Sequence, residues 1–150
     1  MNTTKVTIPN DVMLSEVTRL LQEDHSVVMM TKGCSMMPFI VGERDSVELV
    51  REENLMVGHI ALAQIRPGHY VLHRIIALEG EKVTLKGDGN LRGTESCRRA
   101  DVSGIVCRIL KPSGKDTDCL DARFLNRSRR WRLQPPLARR IILAIYRRII

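Results

Sequence analysis

Gly33-Cys34-Ser35-Met36-Met37-Pro38 places a serine inside a Gly-x-Ser-Met-x-Pro turn, and two further blocks follow it in order. His73-Arg74 comes next, its histidine 38 positions after the serine, and then Lys86-Gly87-Asp88-Gly89-Asn90. A serine hydroxyl is nearly inert at neutral pH. It becomes a nucleophile only with a proton acceptor in hydrogen-bond reach and donors where an oxyanion forms. Gly33 tolerates positive φ and a close approach of another backbone, while Pro38 fixes the chain just after the serine. Ser35 is therefore the candidate nucleophile and His73 the candidate base. Gly33, Cys34, Met36 and Pro38 are the candidate oxyanion and substrate-positioning residues. The same residue types also make ordinary turns, so the weight rests on the three blocks together.

Taken in this order, the blocks resemble the catalytic core of the signal peptidase and self-cleaving repressor clan of serine peptidases, over roughly residues 27–110. The likeness is closest to the serine–histidine branch, the archaeal and endoplasmic-reticulum type, in which histidine replaces the bacterial lysine. The resemblance implies a mainly β, signal-peptidase-like core and a serine endopeptidase that cuts a leader-bearing peptide or protein bound as an added strand. It also keeps two other readings open: a self-cleaving transcriptional regulator, and a non-catalytic peptide-binding, membrane-associated module. Relatives in that branch commonly carry an acidic pair about six residues after the loop aspartate, where this chain has Gly93-Thr94 and then Glu95. Asp88 is the first choice for the acid that orients His73, with Glu95 and Asp101 as alternatives.

His73 lies in the apolar, β-branched run Tyr70-Val71-Leu72-His73-Arg74-Ile75-Ile76-Ala77-Leu78, which reads as a strand. Alternation sets His73 with Val71, Ile75 and Ala77 and turns Arg74 to the other face, where it serves structure or the Gly-Asp loop. The ordinary histidine pKa, near 6.5, supplies neutral imidazole at physiological pH. Were the base a lysine instead, Lys86 would be the nearest candidate. His59, in Val57-Gly58-His59-Ile60, reads as a solvated hairpin residue. His25 and His69 flank turns and have no partner motif.

Cys34, Cys97, Cys107 and Cys119 form no Cys-x-x-Cys pair and match no zinc spacing, so neither metal nor cofactor is expected. Four such cysteines with no secretory leader fit reduced thiols in the cytoplasm. Cys34 is a conceivable thiol nucleophile, but only Ser35 fits the motif.

The 150 residues suffice for one domain with a core. Residues 9–24 read as a helix, with Asn10 or Asp11 as N-cap and Val12, Val17, Leu20 and Leu21 on its apolar face. Residues 27–30, 47–50, 60–65, 70–78, 82–86 and 105–110 read as short strands, with Pro67-Gly68 and Glu79-Gly80-Glu81 as turns. The expected organisation is an N-terminal helical segment (1–26), a peptidase core (27–121) and an arginine-rich amphipathic tail (122–150).

Charge is unevenly distributed. Residues 1–121 hold all 17 acidic and 15 of the 24 basic side chains, a net charge of −2, whereas the tail carries nine arginines and no acid. From Leu137 a helical wheel gathers Ala138, Ile141, Ile142, Ile145, Tyr146 and Ile149 on one side and Arg139, Arg140, Arg147 and Arg148 on the other. Such a helix suits an anionic membrane interface, each arginine near the surface contributing about 1 kcal/mol. Its alternative is to dock its isoleucines on the sheet. Few aromatics and no recognised module argue against nucleic acid. The longest apolar run, Ile141 to Tyr146, is far below the ~20 residues of a spanning helix. A cytoplasmic protein, peripheral at the inner membrane surface, is expected, and no signature sets its oligomeric state.

Overall fold

The computed structural model describes residues 3–6 and 10–150. Its strands are β1 (Thr3–Val6), β2 (Ser26–Met30), β3 (Ser46–Val50), β4 (Ile60–Arg66), β5 (His69–Glu79), β6 (Lys82–Lys86), β7 (Glu95–Arg98), β8 (Val102–Leu110) and β9 (Thr117–Asp118). They form one mixed sheet in the order β1-β2-β3-β8-β4-β5-β6-β7, with β9 on β8. Among the described residues, only the β1–β2 pairing is parallel. The helices are α1 (Asp11–Gln22), α2 (Ala122–Leu133) and α3 (Pro136–Ile149).

The period-two pattern of β4 explains why the sheet has a core on each side. Ile60 and Leu62 enter one apolar cluster with Leu14, Val17, Leu21, Val47 and Ile109, while Ala61 and Ala63 enter another with Ile75, Leu85 and Ile105. α1 begins where Asn10 Oδ1 accepts the Met13 N–H at 2.9 Å, a side-chain N-cap. Its buried stripe is Leu14, Val17 and Leu21. Val12, expected on that face, is 80% exposed, because the stripe starts two residues later. The Pro9 end of the expected helix lies outside the described residues.

The tail is not an appendage. α2 sends Phe124 into the first cluster, and Trp131 joins Leu143 of α3, Met37 and Val41 in a third. The wheel's division of α3 is also corrected. The face packed inward is Arg139, Leu143 and Tyr146, one turn apart, whereas Ile141, Ile145 and Ile149 are each more than half exposed. Docking follows the shape of the Met37–Val41–Trp131 surface rather than the most apolar stripe of the helix. No described helix is long and apolar enough to cross a membrane.

Candidate functional site

Ser35 sits in the connection between β2 and β3, and backbone contacts hold its turn from two sides. Gly42 N–H donates to Gly33 O at 3.1 Å, and Gly89 N–H donates to Ser35 O at 2.8 Å. A Cβ on Gly42 would overlap the Gly33 carbonyl, and one on Gly87 would overlap the Ser35 carbonyl, so both glycines are required for this approach. Gly33 itself has φ +81°, the left-handed region expected of it. Met36 and Met37 are buried on either side of the turn and anchor it in two different apolar clusters. The half-buried Ser35 hydroxyl is thereby presented from a rigid support.

His73 reaches that hydroxyl from β5. Its Nε2 lies 3.1 Å from Ser35 Oγ, hydrogen-bond distance. Its Nδ1 lies 2.7 Å from Glu95 Oε1. The sheet register explains the second contact. Glu95 of β7 stands opposite Leu85 of β6, which stands opposite Ile75 of β5, two residues beyond His73. The Glu95 approach is off the N–H direction, so Nδ1 has a charged neighbour without an aligned hydrogen bond. Burial pushes the His73 pKa below its ordinary 6.5, outweighing the upward pull of Glu95 and, further off, Asp88. Neutral imidazole is the favoured form.

Asp88 does not take the place first assigned to it. Both its oxygens are bound by Arg74, whose Nε donates to Oδ1 at 2.9 Å and whose Nη2 donates to Oδ2 at 2.6 Å. Arg74 also donates through Nη1 to Gly58 O at 2.8 Å and stands 5.5 Å from the ring centres of Phe39 and Phe124. This side chain is wholly buried and so fully paired that its carboxylate partner is committed to it. The Asp88 carbonyl in turn accepts the Trp131 indole N–H at 2.8 Å. Arg74, Asp88 and Trp131 thus buttress the Gly87–Gly89 loop that holds Ser35. Of the three acids considered, Glu95 is the one at His73; Asp101 accepts the Arg98 N–H at 3.2 Å, capping a short 3-10 turn.

The other histidines and cysteines fall elsewhere. His59 is buried rather than solvated: its Nδ1 accepts the Met56 N–H at 3.1 Å, and burial lowers its pKa. Cys97, Cys107 and Cys119 are free thiols pushed up to about 11, 12 and 12 by burial, and so poor nucleophiles. Cys34 is exposed beside Ser35, its sulfur 4.0 Å from Arg147 Nη2. Lys86 Nζ reaches the Leu91 carbonyl at 3.5 Å, whereas the partner of Ser35 is His73. Pro38 is half-buried within the turn.

A groove of about 450 Å³ opens at Ser35 and His73, with Leu14, Met29, Ile40 and Leu62 among its apolar lining and Asn10 and Thr31 among its polar lining. The arrangement offers a hydroxyl and a basic imidazole in contact, an acid behind the imidazole, and an apolar cleft for a ligand. Trp131 and the buried face of α3 had no motif to mark them. Their only signal was one tryptophan among arginines. Comparison with protein-family models found no match, and comparison with curated proteins found none.

Proposed function

We propose that the protein is a serine endopeptidase of the Ser35–His73 type, related to signal peptidases, that cleaves a leader-bearing peptide or protein lying in the groove. The observation that carries the reading is the 3.1 Å contact between Ser35 Oγ and His73 Nε2 at the mouth of an apolar cleft. His73 Nε2 takes the hydroxyl proton as Oγ bonds to the substrate carbonyl carbon. The backbone N–H groups of the turn would face the oxyanion, and the C–N bond breaks as Nε2 returns the proton to the leaving amine. Water then enters with Nε2 again as base and releases the acyl group from Ser35. With Nε2 as acceptor, the ring proton is on Nδ1, and the nearby Glu95 carboxylate, 2.7 Å from that nitrogen, stabilises the imidazolium that forms by its charge.

The same reading places the enzyme at an anionic membrane surface. Its support is the row of Ile141, Ile145 and Ile149, all more than half exposed, next to the exposed Arg140 and Arg148 on α3.

Incubation of the full-length protein with a library of leader-bearing peptides, read by mass spectrometry, tests the activity. New termini should form with the wild type and not with Ser35→Ala. Equal cleavage by Ser35→Ala, or none by the wild type, would count against the proposal.

A further inference from the structure

The Gly87–Asp88 loop also lines a separate cavity, of about 240 Å³, together with Ile76, Lys86, Arg132 and Arg139. Its charge is unbalanced. The only carboxylate in that lining is Asp88, whose two oxygens are already held by Arg74. Two guanidinium nitrogens, Arg132 Nη1 and Arg139 Nε, are buried with no hydrogen-bond partner among the described residues, and Arg139 as a whole is 8% exposed. Lys86 Nζ has the weak 3.5 Å contact to the Leu91 carbonyl. Burying a cation without a partner is among the costliest arrangements a fold can hold. Burial lowers the Arg132 pKa, with the nearby Arg74 charge acting in the same direction.

We propose that Lys86, Arg132 and Arg139 bind a phosphate-type oxyanion in this cavity. Planar guanidinium groups match the tetrahedral oxygens of phosphate with paired N–H donors, and a lysine adds a compact charge. A phosphate group brings between one and two negative charges at neutral pH, more than a single carboxylate, to offset three cations. The ligand would reach the Ser35 turn through one loop, since Gly87 and Asp88 line the cavity and Gly89 N–H holds Ser35 O. Free phosphate or a phosphomonoester, and the headgroup of an anionic lipid, share this chemistry.

Calorimetric titration of the full-length protein with inorganic phosphate, at ionic strength matched with chloride, tests the site without any peptide substrate. Saturable binding is expected, weakened at least tenfold by Arg139→Gln and by Lys86→Gln; the lysine variant serves if the first does not fold. The wild-type Tm should rise with phosphate, and Arg139→Met should raise the Tm in phosphate-free buffer while losing that response. Vesicles of phosphatidic acid in phosphatidylcholine distinguish the sources. Sedimentation lost in Arg139→Gln, with only weak binding of free phosphate, assigns the site to a lipid headgroup. Attachment through the exposed arginines alone would not depend on Arg139. Absence of both saturable phosphate binding and Arg139-dependent sedimentation would overturn the proposal, as would binding unchanged in both variants.

Discussion

His73 and Arg74 are neighbours on one strand, yet they are held in opposite ways. Arg74 is wholly buried, with its guanidinium bound to both Asp88 oxygens and the Gly58 carbonyl. His73 is nearly as buried, but its Nδ1 has an unaligned acid, its Nε2 meets a hydroxyl, and its pKa is lowered. A saturated charge pair is fixed and serves as scaffold, while an imidazole with spare hydrogen-bonding capacity can exchange a proton. The pairing of a rigid support with a reactive group one residue away is the physical content of the site.

Substitutions on the two side chains should therefore fail differently. Ser35→Ala and His73→Ala should each lower peptide cleavage by about 10⁴-fold or more with the fold intact, and the double variant should be little worse than either. Near-wild-type turnover in either variant, or losses that multiply, would break the distinction. Arg74→Leu should instead cost about 3–5 kcal/mol of stability, because it strands the buried Asp88 carboxylate. Urea unfolding checks this, and an unchanged midpoint would mean that Asp88 finds another partner.

Glu95→Gln should act between these limits. A loss of about 10²-fold in turnover is expected, smaller than for an aligned orienting acid. The same variant should move the pH profile. Activity requires neutral His73, and burial already holds its pKa below 6.5, so the ascending limb lies below pH 6.5. Glu95 raises that pKa, and removing its charge leaves burial less opposed, so the limb shifts to still lower pH. A shift upward would show that Glu95 does not act on His73. The smallest effect belongs to Trp131→Phe, which removes the donor to the Asp88 carbonyl and should cost about 1 kcal/mol, visible as a lower Tm.

The sheet was legible where apolar alternation was strong. β6 spans the expected residues 82–86, and β2, β3, β4 and β5 differ only at their ends. β1, β7 and β9 were missed because Thr3–Val6, Glu95–Arg98 and Thr117–Asp118 are short and largely polar, and β1 in addition pairs with β2 across the whole of α1. Missing β7 is why Glu95 was ranked behind Asp88, since only the β5–β6–β7 register brings it to His73. Arg74 was legible in part, as a contact of the Gly-Asp loop. α2 was hidden by its arginines, whose charge masks Phe124 and Trp131 on a single face. Arg139 falls on the polar side of the wheel for a related reason: hydropathy treats arginine as an outward residue, whereas the surface formed by Met37 and Val41 turns its helix the other way.

The most direct measurement of the central claim is the intact mass of the full-length protein after exposure to a serine-directed fluorophosphonate, with the modified residue mapped by peptide sequencing. Ser35 Oγ should displace fluoride from phosphorus and give one adduct per chain at Ser35, absent from Ser35→Ala and formed far more slowly in His73→Ala. No adduct on the folded wild-type protein, or an adduct at Cys34 in place of Ser35, would contradict the account.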